Sequence, residues 1–154
     1  MKIIFLDIDG VLNSRRYDAS RGPADGNIDE SRLELLKKLT DRTGANLVLT
    51  STWRRHWDPE GKETDEVGRA LEETFRRKGL RLWDRTKELG KERYKEVKDW
   101  LTRHPETEAF VIFDDQKFGW QELDPYTVKT DPLIGRGLEE RHIEKAASLL
   151  MREE

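Results

Sequence analysis

The chain contains no cysteine, which excludes a disulfide framework, a thiolate metal site and a cysteine nucleophile. It also lacks any long apolar run. The stretch Ile3 to Leu6 falls far short of the ~20 residues that a membrane-spanning helix needs. Because it ends in acids, no secretory signal is expected either, and a cytoplasmic protein with no membrane partner is the expectation. Excess charge of one sign is missing as well. With 29 Lys and Arg against 32 Asp and Glu, the formal net charge is −3, which rules out polyanion binding by bulk charge. Any nucleic-acid contact has to be a local patch.

Apolar residues make up only 34% of the chain and charged residues 40%, yet the apolar ones cluster into periodic segments, unlike a disordered chain. A length of 154 residues suits one domain with one core, expected to span 1–154. No repeat, low-complexity tract or linker interrupts it.

The first dozen residues organise the rest. Ile3-Ile4-Phe5-Leu6 reads as a central strand buried on both faces. It runs into Asp7-Ile8-Asp9-Gly10, where side-chain alternation turns both carboxylates the same way. Carboxylates facing one cleft resist ionising together, and a hard divalent cation is the usual remedy. A polar, turn-rich stretch from Asn13 to Asn27 follows. Asp29 is expected to cap a helix carrying Leu33, Leu36 and Leu39, with Ile28 and Leu33 as a hydrophobic staple and Gly44 closing it. Leu47-Val48-Leu49 is a second buried strand, ending in the hydroxyl cluster Thr50-Ser51-Thr52.

Beyond the polar loop 53–62, Thr64 is expected to cap a helix to about Lys78, with Val67, Leu71 and Phe75 inward. A short third strand is expected at Leu80 to Trp83. The next helix, about Lys91 to Arg103, has the stripe Tyr94, Val97, Trp100 and Leu101, and His104-Pro105 stops it. Ala109 to Phe113 is the fourth strand and ends in Asp114-Asp115. Tyr126 to Thr130 alternates like a half-exposed edge strand, and Glu139 to Met151 forms the last helix. Strands alternating with helices imply an α/β fold, an open five-stranded parallel sheet with helices on both faces. Ligands of such sheets bind outside the carboxyl ends of the strands, where both acid motifs and the hydroxyl cluster fall.

A strand followed by DxDG, hydroxyls ending a second strand and paired acids ending the fourth resemble the motifs of the haloacid dehalogenase (HAD) superfamily. The resemblance implies a HAD-like Rossmannoid three-layer sandwich. Neither the interval after the first strand nor that after the third has room for a sizeable cap. It further implies a Mg²⁺-dependent phosphatase in which Asp7 attacks phosphorus and Asp9 serves as acid and then base. Ser51 would hydrogen-bond the phosphoryl group, with Thr50 and Thr52 as alternatives. The ion would be held by Asp7, the backbone carbonyl of Asp9 and an acid from Asp114-Asp115. Of the third-motif cations Lys91, Arg93 and Lys95, matching the helix's apolar positions favours Arg93.

The combination LDIDGVLN, TSTWR, VIFDD and TDPLIGRGLEERHIEKA resembles in particular the HAD domains of bacterial and phage RNA repair proteins. That implies a phosphorylated substrate, a nucleic-acid end in the first place. Arg15, Arg16 and Tyr17, Trp53, Arg54, Arg55, His56 and Trp57, and Lys117, Phe118 and Trp120 combine cationic groups with aromatic faces around the expected site, a combination that suits phosphates and stacked bases. Among them Arg15, Arg16, Trp53 and Arg54 are the substrate-binding expectation. A small-molecule phosphatase is the nearest alternative. A phospho-receiver domain fits less well, because its acceptor lies on a middle strand.

Overall fold

The computed structural model describes residues 1–15, 28–116 and 119–151. At its centre lies β1 (Lys2–Leu6), buried from Ile3 onward. With β2 (Asn46–Leu49), β3 (Leu82–Arg85), β4 (Ala109–Asp114) and β5 (Thr127–Lys129) it forms one sheet in the order β3-β2-β1-β4-β5, every neighbouring pair parallel. Alternation along β1 sends Ile4 and Leu6 to one face and Ile3 and Phe5 to the other. The first face is covered by α1 (Glu30–Thr43), α2 (Glu66–Arg77) and α4 (Glu140–Leu150), through Leu33, Leu36, Phe75 and Ala146. The second is covered by α3 (Arg93–Arg103) through Val97 and Trp100, and by a 3-10 segment, Gln121–Tyr126, through Leu123. Helices on both faces make this the three-layer, HAD-like Rossmannoid sandwich. Among the described residues no helix is long and apolar enough to cross a membrane.

Helix ends follow local chemistry. Asp29 caps α1 by accepting from the Ser31 amide, and Gly44 ends it with φ +73°. Three boundaries differ from the sequence expectation. The third strand begins two residues later, because Gly79 and Leu80 close α2 through bonds to Arg76 and Phe75 carbonyls before pairing starts at Leu82. The fifth strand is shorter and more buried than an edge alternation suggests, since Tyr126 belongs to the 3-10 segment and the Thr127 hydroxyl donates to the Leu123 carbonyl. In α2 the cap is Asp65, and Val67 is exposed. The inward face there is Gly68, Leu71 and Phe75, spaced three and then four apart as a helical stripe requires.

The chain winds from β1 to β2 to β3 on one side, then α3 carries it back across to β4 on the far side of β1. The order in which strands are added to the sheet therefore reverses between β1 and β4, with every strand still parallel, and this is the switch point where such sheets open a crevice. The register keeps the strand ends level there. Leu6 lies opposite both Leu49 and Phe113, the Asp7 amide donates to the Phe113 carbonyl at 3.1 Å, and the Thr50 amide donates to the Leu6 carbonyl at 3.0 Å.

At Gly68 a Cβ would lie 1.8 Å from the His56 carbonyl oxygen. Glycine to alanine ordinarily stabilises a helix by up to about 1 kcal/mol, but here the contact reverses the sign. Gly68→Ala should destabilise the fold by roughly 1–3 kcal/mol, the usual penalty for overpacking, read as a lowered denaturant midpoint. An unchanged or raised midpoint would contradict this packing of α2 on the loop after β2.

Candidate active site

Three carboxylates meet at the switch point. Asp7 stands one residue past β1 and is only 5% exposed. Asp114 ends β4 and Asp115 follows it, and one oxygen from each of the three lies within 4.8 Å of the others. Gly10 permits the approach. Its φ is +86°, and a Cβ there would fall 2.6–2.8 Å from the Asp115 side chain, so the DxDG glycine is required by both conformation and space. The Thr130 hydroxyl donates to the Gly10 carbonyl at 2.7 Å and fixes the bend against the segment after β5.

The cation is Arg93, the first residue of α3. Its Nη1 lies 2.7 Å from Asp114 Oδ2 and 3.3 Å from Asp7 Oδ2. Of the three cations considered from the sequence, Lys91 and Lys95 are exposed, and the Lys95 ammonium lies over the Tyr94 ring. Ser51 caps the 3-10 turn Thr52–Arg55 by accepting from the Trp53 amide, and with Thr52 it lines the cavity that holds the acids. Thr50 is fully buried and does not line it. The cavity, about 560 Å³, also exposes Asp9, Glu92, Arg93, Tyr94, Gln116, Gly119 and Trp120.

Asp9 is exposed and its carboxylate stands apart from the three clustered acids. Its Oδ1 accepts from Asn13 Nδ2 at 3.1 Å and its Oδ2 from Trp53 Nε1 at 3.3 Å. The clustered side-chain oxygens are those of Asp7, Asp114 and Asp115.

Several residues expected around a substrate are engaged elsewhere. Arg54 is 6% exposed and does not face the cavity of the acids. Its guanidinium bonds Glu96 at 2.8 Å, the Thr50 carbonyl at 2.7 Å and the Thr86 hydroxyl at 2.8 Å, so it is a scaffold residue and the substrate-contact expectation is corrected. Trp57 is buried in the core beneath α2. Arg55 pairs with Glu88, and His56 with Asp65. Trp120 is 3% exposed and its indole N–H donates to the Gln116 carbonyl, though the residue lines the cavity. Arg15 is exposed and outside the cavity lining, its amide bonded to Pro132. Arg16, Tyr17, Lys117 and Phe118 lie outside the described residues. Sequence reasoning missed Asn13 as a partner of Asp9. The only signal was an amide side chain four residues after the acid, within reach once Gly10 turns the chain.

The electrostatics are those of a site short of positive charge. Burial first, and then Asp114, push Asp7 up to about 7 from its ordinary 3.8, with Arg93 pulling the other way. Burial and the hydrogen bond and charge of Asp114 push Asp115 up to about 6. For Arg93 burial lowers the pKa, but Asp7 and Asp114 more than offset it and hold the guanidinium above its usual value. Three acid oxygens within 4.8 Å of one another are a donor set that a hard divalent cation such as Mg²⁺ can take.

Both raised carboxyls bind protons more tightly in the folded chain than in the unfolded one. Their stabilising contribution is thus complete below about pH 3.8 and is lost as pH rises through about 6 for Asp115 and about 7 for Asp7. In chelator the melting temperature of the wild type should fall relative to that of Asp7→Asn between about pH 4 and pH 7. Millimolar Mg²⁺ should restore it at the upper end. Parallel curves for the two proteins, or indifference to Mg²⁺, would contradict this account of the site.

No curated protein and no solved structure matches the chain. A family match runs from residue 3 to residue 143, from β1 into α4, and so takes in the whole sheet, the clustered acids, Arg93 and the hydroxyl turn. The family is described as the HAD domain in Swiss Army Knife RNA repair proteins, and over that span, with this sheet and these strand-end acids, the chain belongs to it.

Proposed function

We propose that the protein is a Mg²⁺-dependent phosphomonoesterase that works through an aspartyl phosphate on Asp7 and acts on the phosphorylated ends of nucleic acid, RNA in particular. The observation that carries the reading is Arg93 bridging Asp7 and Asp114 beside Ser51, in an open cavity at the switch point. A phosphate placed there meets a carboxylate nucleophile, a fixed cation and a hydroxyl together.

In the first step an Asp7 oxygen attacks phosphorus, the bond to the leaving oxygen breaks, and Asp9 supplies the proton that oxygen needs. In the second, Asp9 takes a proton from water, the water oxygen attacks the same phosphorus, and phosphate departs with Asp7 restored. Arg93 has two tasks. It favours the ionised form of Asp7, offsetting part of the effect of burial, and its guanidinium neutralises charge on the phosphoryl oxygens. The ion, held by Asp7, an acid of the 114–115 pair and the Asp9 carbonyl, would add charge that offsets carboxylate repulsion.

The substrate class rests on the family description and on an open approach: only residues 86–92 separate β3 from α3, too few for a cap domain. A small-ester phosphatase is the second reading. It is favoured by Arg54, Arg55 and Trp57 being taken up by the scaffold, which leaves fewer groups to grip a strand.

Phosphate release should be measured with Mg²⁺ and with chelator, from RNA oligonucleotides bearing a 3′ or 5′ phosphate, from mononucleotides and from an aryl phosphate. One oligonucleotide end should be preferred, and equal or better turnover of the small esters would select the second reading. Asp7→Asn should lower turnover by at least about 10³-fold, as loss of a nucleophile does, while leaving the fold intact. An active Asp7→Asn protein would overturn the covalent route. Arg93→Ala should lower turnover by about 10²-fold, comparable to removing one charge-stabilising donor, with Arg93→Lys recovering part of the loss.

A further inference from the structure

We infer that Trp53 and Asn13 are positioning residues that together aim the Asp9 carboxylate at the leaving-group oxygen, an inference that rests on the phosphatase reading above. Asp9 lies past the end of β1, exposed, where the chain bends at Gly10. An unrestrained carboxylate there has two free side-chain torsions, and the guanidinium of Arg93 and a bound cation would draw it toward the clustered acids. It is instead held by two neutral donors, one on each oxygen: Asn13 Nδ2 at 3.1 Å and Trp53 Nε1 at 3.3 Å.

Each donor is itself locked. Asn13 is only 7% exposed, and its Oδ1 accepts from the Gly10 amide at 2.8 Å. An amide whose oxygen is committed to Gly10 must present its nitrogen to Asp9. Trp53 packs its ring against the core of the α1 face, and its backbone amide donates to the Ser51 hydroxyl. The turn that presents Ser51 to the cavity thereby also sets the donor to Asp9. The next residue, Arg54, could have supplied a cation to Asp9 but is turned inward to Glu96. Among the described residues, the contacts that orient Asp9 are these two neutral donors.

Trp53 was expected from the sequence to stack on a nucleic-acid base. A stacking platform needs only its ring face, whereas the contact observed uses the indole N–H. The two roles separate in Trp53→Phe, which keeps an aromatic face and removes the donor.

The test is kcat/KM with Mg²⁺ on a series of aryl phosphates from dinitrophenyl to phenyl, for wild type, Trp53→Phe and Asn13→Asp. This parameter reads only as far as cleavage of the ester bond, where the poorer leaving groups depend most on a placed proton donor. Trp53→Phe should lose roughly tenfold more on phenyl than on dinitrophenyl phosphate, a fraction of the usual worth of general acid catalysis, with KM and melting temperature little changed. Asn13→Asp keeps an acceptor for the Gly10 amide but sets an anion against Asp9, and should shift the series in the same direction; it carries the comparison if Trp53→Phe does not fold. Equal losses along the series, or none, would overturn the inference while leaving the phosphatase reading intact. A wild-type protein that hydrolyses no ester would overturn both.

Discussion

The top of the sheet is governed by the repulsion among Asp7, Asp114 and Asp115. Their oxygens lie within 4.8 Å of one another, a distance at which two carboxylates repel by on the order of 3 kcal/mol at an effective dielectric near 20. The raised pKa values of Asp7 and Asp115 express burial first and that conflict after it. In the proposed reaction a protonated Asp7 is no nucleophile, so that chemistry requires positive charge. Arg93 supplies the part that the chain itself can provide, touching two of the three acids. Whatever fixes α3 therefore serves the site directly.

Two buried arrangements fix it. Trp100, fully buried, meets Phe5 of β1 edge-on at 5.3 Å and donates its indole N–H to Asp84, while His104 stacks on it. One turn from Arg93, Glu96 accepts from Arg54 with one oxygen and from the Leu89 amide with the other. A buried pair of this kind gives up much of its Coulomb attraction to desolvation, so its main effect here is on register. It joins the turn after β2, the segment after β3 and the first turn of α3. Ser51 and Arg93, which line the same cavity, are thereby referred to one ion pair.

That division explains what the sequence discloses. Strand ends and acid motifs are local patterns, so DxDG, the hydroxyl cluster and the Asp114-Asp115 pair are legible as residues sharing one edge. Arg93 is favoured over Lys91 and Lys95 only through the family resemblance, which sets Val97 and Trp100 where the family's inward residues lie. The fates of Arg54, Trp57 and Trp120 are not. An arginine and a tryptophan in a polar stretch look alike whether solvated or buried, and the partner that buries Arg54 lies 42 residues away. Asn13 becomes a partner of Asp9 only after a left-handed glycine folds the chain back. Strand β3 begins later than its apolar residues suggest because the C-terminal cap of α2 claims Leu80 first.

One local pattern in that stretch did carry information of another period. From Thr52 to Trp57 burial runs exposed, intermediate, buried and then repeats, with Arg54 and Trp57 as the buried members. That is the three-residue period of a 3-10 turn, invisible to templates of two or 3.6. Side chains one residue apart on such a turn point about 120° apart, so Thr52 faces the cavity, Trp53 faces Asp9 and Arg54 faces Glu96. The far end is closed by the Asp65 amide on the His56 carbonyl and by the bare Cα of Gly68. The turn cannot slide or rotate for one of these contacts without disturbing the others. Changes at Thr52, Trp53 and Arg54 should therefore combine non-additively, as residues sharing one rigid support do, and the short turn after β2 is the mechanical link between Ser51, Asp9 and the first turn of α3.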